Sequence, residues 1–221
     1  MILSSASSTR RLILDSIPLP YTLHVSPVDE RNIGIKLRDE GTKESACELV
    51  KLLAEVKRSG VVSDLESGVL AMPDDGKPAF VLTADQVVTH PTLGILEKPL
   101  DMIEAEKFMT AYSDVPEVTT VGSVMLTHFP SMESVVRVFE ATVKFDGAKL
   151  GSAMDAKPSL LERLVESGAP VMKCAGGLMI ENPLVKEFIT HCEGGEDAVL
   201  GLSRGSVVEC LREMRERLEE T

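Results

Sequence analysis

The chain has 221 residues, of which 43% are hydrophobic, enough for one sizeable α/β unit or two small lobes sharing a core and too apolar for general disorder. Lys and Arg total 23 against 35 Asp and Glu, a net charge of −12, which repels nucleic-acid phosphates and argues against DNA or RNA binding. No uncharged apolar run approaches the ~20 residues needed to span a bilayer, so a soluble, cytoplasmic protein with neither a nucleic-acid nor a membrane partner is expected.

Met1–Leu3 reads as a short strand start and Ser4–Ser8 as a polar loop. A helix is expected from Thr9, with Leu12, Ile13 and Ile17 on one face and Pro18 and Pro20 as stops. Tyr21–Val25 is strand-like and leads through Pro27 to the acidic pair Asp29-Glu30. Thr42 to Arg58 is a long helix: Ala46, Leu49, Val50 and Leu53 form an apolar stripe, and Gly60 follows as a stop. Lys57 continues that stripe, so its side chain must snorkel or point into a cavity. Gly60 to Pro78, rich in Asp, Gly and Pro, reads as an irregular surface insertion within a single domain spanning 1–221.

Ala79–Ala84 is a buried strand that ends at Asp85, and a turn over His90–Gly94 precedes a short return at Ile95-Leu96. Asp101 caps the next helix with Glu104 closing a capping box, and Ala105, Phe108, Met109 and Tyr112 form its inner face. Val118–Phe129 and Val135–Phe145 form an antiparallel pair around Pro130-Ser131. Ser159–Glu166 is helical, Val171–Cys174 is a strand candidate, and Ser206 caps a last amphipathic helix. Long strands mixed with helices imply an α/β or α+β protein with a mixed sheet.

Four stretches carry chemistry-bearing residues. In Ser4-Ser5-Ala6-Ser7-Ser8-Thr9-Arg10-Arg11 a loop feeds a helix start, where free N–H groups and the positive dipole end bind phosphate. Two arginines there oppose the dipole by about 0.3–1 kcal/mol each unless an anion sits between them. The same Ser- and Arg-rich stretch, with no acid before Asp15, also fits a mitochondrial transit peptide. The phosphate-loop reading predicts that removing residues 1–11 abolishes activity.

Asp85 lies near the end of its strand, where α/β proteins place ligands, although a turn Asp has the same appearance. Lys98, in Glu97-Lys98-Pro99, is held extended before a proline or is simply a surface lysine. Gly176-Gly177, within Lys173–Glu181, allows close backbone approach to a ligand or forms a plain turn.

Together these residues have a logic. Arg10, Lys57 and Lys98 are cations in separate segments, with the carboxylates Glu30 and Asp85 among them. Polyphosphate cleavage needs cations for non-bridging oxygens, carboxylates for Mg²⁺ and one carboxylate to activate water. A few cations focused in a cleft with a metal ion outweigh a distant negative surface. The chain has no G-x-x-x-x-G-K-[ST], no strand-following G-x-G-x-x-G and no G-x-S-x-G. Cys47, Cys174, Cys192 and Cys210 form no C-x-x-C pair and read as reduced thiols, and the four histidines form no metal-binding array.

At these segments the sequence resembles the Maf family of nucleotide pyrophosphatases. The resemblance runs through Leu3-Ser4-Ser5-Ala6-Ser7 before Arg10-Arg11, Val28-Asp29-Glu30, Leu53-Ala54-Glu55-Val56-Lys57, Ala84-Asp85-Gln86-Val87 and Glu97-Lys98-Pro99. It continues through Glu140–Phe145, Cys174-Ala175-Gly176 and Val199-Leu200-Gly201-Leu202. It implies an α/β fold with an elongated mixed β-sheet flanked by helices, and two lobes around a central cleft. It also implies hydrolysis of a nucleoside triphosphate to a monophosphate and pyrophosphate with a divalent metal, Mg²⁺ or Mn²⁺.

Carried over by position, Asp85 is the general base and a metal ligand, and Glu30 is a second metal ligand. Arg10, Lys57 and Lys98 bind phosphates, and Ser7 sits in the cradle. Thr9, Gln86 and Glu181 fall where specificity varies; Gln86 with Glu181 resembles the 7-methyl-GTP subgroup rather than the dTTP/UTP subgroup. The chain departs from the family pattern at Ser8-Thr9, at Glu97 where the family has Gly, and at Ser203 where it has Pro. The alternatives are a non-catalytic nucleotide-binding regulator related to septum-formation inhibitors and an ITP/XTP-type pyrophosphatase. A homodimer is compatible with either.

Overall fold

The computed structural model describes residues 1–25, 27–28, 30, 32–72 and 77–220. A buried first strand, β1 (Ile2–Ser4), leads into α1 (Ser8–Asp15). Ser7 caps α1, its Oγ accepting the Arg10 N–H at 3.2 Å, so the helix starts one residue before Thr9. It stops before Ile17 because the Ser16 hydroxyl takes the Ile13 carbonyl at 2.6 Å and Pro18 follows. β2 (Thr22–Leu23) is shorter than the strand-like run around it, since its partner β1 offers only Ile2 and Leu3 for pairing.

Left-handed Gly34 and Gly41 bracket α2 (Ile35–Glu40). The long helix α3 (Lys43–Glu66) begins at a Thr42–Ser45 capping box and runs straight through Gly60, the expected stop. A helical glycine costs about 1 kcal/mol relative to alanine. Burying Val61 and Leu65 against Ile2, Ala79 and Val81 returns about 1.5–3 kcal/mol per side chain. The insertion expected over 60–78 is therefore helical as far as Glu66, and its residues 73–76 lie outside the described residues.

The strand expected to end at Asp85 continues: β3 (Ala79–His90) stays paired as far as Thr89↔Thr119. Val87 and Val88, each 1% exposed, carry it past the carboxylate by filling both faces. β4 (Gly94–Leu96) returns antiparallel to it. In α4 (Met102–Asp114) Asp101 caps as expected, but the Glu104 carboxylate accepts the Leu100 N–H at 2.7 Å instead of closing the box at Asp101.

The expected pair forms as β5 (Glu117–Phe129) and β6 (Ser134–Phe145). There follow α5 (Gly147–Asp155) and α6 (Leu160–Glu166), the latter opened by a Ser159–Glu162 capping box. Val171–Lys173 and Ala175–Gly177 are 3₁₀ turns and not a strand, with Pro170 in front and Gly176 and Gly177 at φ 62° and 62°. The chain closes with α7 (Pro183–Lys186), β7 (Ile189–Glu193), α8 (Glu196–Val199) and α9 (Arg204–Glu219). Ser203, not Ser206, caps α9. A hydroxyl in place of the family's proline is thus a helix cap.

Among the described residues the strands form one seven-stranded mixed sheet in the order β2-β1-β3-β5-β6-β7, with β4 also on β3. Helices flank the sheet, as the resemblance implies. The main core lies on the face carrying Leu82, Ala84 and Val88. On the other face α3 covers Val81 and Val87. Two sheet hydroxyls fix its position: Thr83 donates to the Ala54 carbonyl at 2.9 Å and Ser123 to that of Val50 at 2.7 Å, both buried.

One edge of β3 decides where a site can form. β5 covers one edge continuously from Ala79 to Thr89. On the other edge β1 pairs Val81–Thr83 and β4 pairs Val88–His90, leaving 84–87 between them.

Candidate active site

A cleft of about 430 Å³ opens at this break in the sheet edge. Its lining includes Ser7, Thr9, Arg10, Glu30, Lys57, Asp85, Gln86, Lys98 and Glu181. The candidates for catalysis, metal, phosphate and specificity named from the sequence therefore face one space, whereas Arg11, Gly176 and Gly177 do not line it. Asp29 lies outside the described residues.

Asp85 shares the α3-facing side of β3 with Val81 and Val87. The apolar stripe of α3 runs on from Leu53 through Lys57 to Val61 and Leu65, so Lys57 is carried directly over the carboxylate. Its Nζ donates to Asp85 Oδ2 at 2.7 Å and lies 3.3 Å from Glu30 Oε1. The Lys57 and Asp85 side chains are only 15% and 10% exposed, so this pair is screened far less than a surface ion pair. The other Asp85 oxygen accepts the Gln86 N–H at 2.7 Å.

Arg10 enters from the first turn of α1. Its Nη1 donates to the Ala84 carbonyl at 2.9 Å and its Nε to the Gly201 carbonyl at 2.8 Å. Loss of water around the guanidinium lowers its pKa from the ordinary arginine value, while the charges of Asp85 and Glu30 oppose the shift. Gln86 projects from the opposite face of β3 to Asp85, and its amide donates to the Val199 carbonyl at 2.6 Å. Adjacent strand residues on opposite faces line the same cleft because the sheet edge is open between them.

The opposite wall is irregular. It includes Met172, Leu178 and Ile180 with the charges of Lys98, Lys173 and Glu181. Gly176 packs where no side chain fits: a Cβ would lie 2.5 Å from Tyr112 Oη, which itself donates to the Gly176 carbonyl at 2.7 Å. The Gly176 N–H donates to Glu97 O at 2.8 Å, which places Lys98 beside this turn. Burial, with Glu181 adding and Lys98 opposing, pushes the Cys174 thiol up to about 11, so it stays protonated at neutral pH.

One ion pair was not anticipated. Arg38 of α2 grips Glu97 with two nitrogens, at 2.5 Å and 2.9 Å. The only sequence signal for it was the acidic residue replacing glycine before Lys98.

A family model described as Maf-like protein matches residues 1–214. The chain belongs to the Maf-like family. Within the family's relatives, it is 31% identical over 212 residues to a dTTP/UTP pyrophosphatase of Salinibacter ruber, covering 96% of this chain and 89% of that protein. It is 25% identical over 223 residues to a 7-methyl-GTP pyrophosphatase of Rhizobium johnstonii, covering 97% and 96%. A nucleoside triphosphate pyrophosphatase of a Synechococcus species is 29% identical over 181 residues, covering 81% and 84%. No helix among the described residues is long and apolar enough to cross a membrane.

Proposed function

We propose that this protein is a nucleoside triphosphate pyrophosphatase that cuts its substrate between the α- and β-phosphorus, releasing a nucleoside monophosphate and pyrophosphate. The observation that carries the reading is the ammonium of Lys57 held between the carboxylates of Asp85 and Glu30 in the cleft that Arg10 and Lys98 also line.

In this reading the triphosphate lies against the N-terminus of α1, where Ser7 and the loop before it present polar groups. Arg10, Lys57 and Lys98 take its non-bridging oxygens. An incoming polyphosphate competes with Asp85 for the Lys57 ammonium, which frees a carboxylate oxygen to accept a proton from water. That water attacks the α-phosphorus, the bond to the bridging oxygen breaks, and the electron pair leaves with pyrophosphate. Arg10 and Lys98 offset the charge that builds on the equatorial and leaving oxygens.

The donor set fits a divalent cation. Asp85 and Glu30 already converge on one positive charge, and Mg²⁺ is usually held by one or two carboxylates, with phosphate oxygens and water completing the shell. Among the described residues no three His, Cys, Asp or Glu side chains cluster as a self-sufficient metal site, so the substrate would supply part of the coordination. Bound there, the ion would withdraw charge from the phosphoryl oxygens and acidify water.

For the base, Gln86 and Glu181 support 7-methyl-GTP, whereas the 31% identical relative is a dTTP/UTP enzyme. We take 7-methyl-GTP first and UTP or dTTP second. The test is pyrophosphate release from a panel of triphosphates with Mg²⁺ or Mn²⁺. Turnover of at least one is expected, and turnover of none would refute the reading.

A further inference from the structure

Glu97 poses an electrostatic problem. It places a negative charge next in the chain to Lys98, which lines a cleft that already holds the carboxylates of Glu30, Asp85 and Glu181 and, on the proposed reading, receives a polyanion. The fold answers it with Arg38. Nε and Nη2 of Arg38 take the two Glu97 oxygens, a fork-to-carboxylate pairing that fixes orientation as well as charge. Nη1 donates to the Ile33 carbonyl and Nη2 also to the Glu30 carbonyl, at 3.3 Å in the latter case.

The guanidinium therefore bridges two segments that otherwise belong to different walls: the approach to Glu30, and the β4 exit bearing Lys98. The Arg38 side chain is 17% exposed and Glu97 43%, so the pair is anchored on the arginine side. α2 is seated against β4 by a backbone contact: a Cβ on Gly94 would lie 3.1 Å from the Gly41 Cα. Asp85 and Glu30 both act electrostatically on Arg38, so its charge is within reach of the reaction centre.

We infer that Arg38 is a positioning residue for the phosphate cleft, which keeps the Glu97 charge off Lys98 and ties the Glu30 segment to the Lys98 segment. The inference rests on the proposed reading for its substrate, but not for its first measurement.

That measurement is the affinity of inorganic tripolyphosphate at fixed Mg²⁺, by calorimetry, for the unaltered protein, Arg38→Gln, Glu97→Gly and the double variant. Arg38→Gln leaves the Glu97 carboxylate without its cation one residue from Lys98 and should weaken binding about tenfold. Glu97→Gly alone should bind at least as tightly as the unaltered protein. The double variant should recover most of the loss, because the offending charge has gone. A strut with only a structural role gives a double variant no better than Arg38→Gln. That result, or an Arg38→Gln affinity equal to the unaltered protein's, would overturn the inference.

If Arg38→Gln does not fold by circular dichroism, Arg38→Lys takes its place. It keeps the charge and loses the fork, so an intermediate weakening of about threefold is expected, and equality with the unaltered protein overturns the inference. Pyrophosphate release, measured in parallel, should show the same ranking in KM with smaller changes in kcat. Tripolyphosphate binding in this pattern without turnover of any triphosphate would remove the proposed activity and leave the role of Arg38. Turnover without the pattern would do the reverse.

Discussion

The two sides of the cleft are built differently. On the β3–α3 side each charged group has a partner fixed by regular structure: Lys57 sits on Asp85, and Arg10 on the carbonyls of Ala84 and Gly201. On the side formed by Met172–Glu181, short 3₁₀ turns and left-handed glycines carry apolar side chains, and Lys98 and Glu181 form no ion pair among the described residues. Rigid, mutually neutralised groups suit the invariant part of a reaction, the phosphate chain and the attacking water. An irregular, largely apolar wall bearing Glu181 suits the part of the substrate that differs between triphosphates, while Lys98 at its margin serves the phosphates.

The contrast can be broken most severely at Asp85. Asp85→Asn keeps the shape and removes the proton acceptor, so pyrophosphate release should fall about a thousandfold, with an unchanged circular dichroism spectrum. Activity within tenfold of the unaltered protein would show that the base lies elsewhere. Lys57→Met should cost about a hundredfold in kcat/KM, and should also lower the Mg²⁺ concentration at half-maximal rate, because Asp85 and Glu30 then face each other without a competing cation. A loss confined to thermal stability would reduce Lys57 to a structural ion pair.

On the other wall, Gly176→Ala forces a side chain into a φ of 62° and toward Tyr112. A cost of about 1–3 kcal/mol is expected, visible as a melting temperature lower by about 2–4 °C per kcal/mol, with kcat less affected than base preference. The smallest effect sharpens the comparison. Gln86→Thr loses the bond to Val199 and should change the ratio of kcat/KM for 7-methyl-GTP and UTP by about tenfold while leaving tripolyphosphate affinity as it was. An equal loss for every nucleotide and for tripolyphosphate would place Gln86 with the phosphate machinery.

Legibility in the sequence follows the same division. The β3–α3 side could be read because helical spacing put Lys57 on an apolar stripe and an apolar run led to Asp85. The end of the strand could not, because the Asp and Gln at 85–86 look like a boundary until β5 is seen to pair through them. Gly60 misled for a related reason: a local stop signal yielded to burial of Val61 and Leu65, which involves β1 and β3 from distant parts of the chain.

The irregular wall was legible only as glycines in a row. The strand expected over Val171–Cys174 is a turn whose conformation is set by Pro170, Gly176 and the Tyr112 hydroxyl. Arg38 was invisible, since its partner lies 59 residues away. The motifs of the family supplied order along the chain, and the fold brought their residues to one place.

The break in the edge of β3 has a mechanical side. Between the last β1 pair at Thr83 and the first β4 pair at Val88, the Ala84 carbonyl is held by the Arg10 side chain and the Gln86 amide by the Asp85 side chain. The groups proposed to handle phosphate and water are thus also stitches in a seam of the sheet. Wear at this seam would show as faster amide exchange at Gln86 well before the molecule melts, so a damaged reaction centre would announce itself as local fraying in a protein that still looks folded.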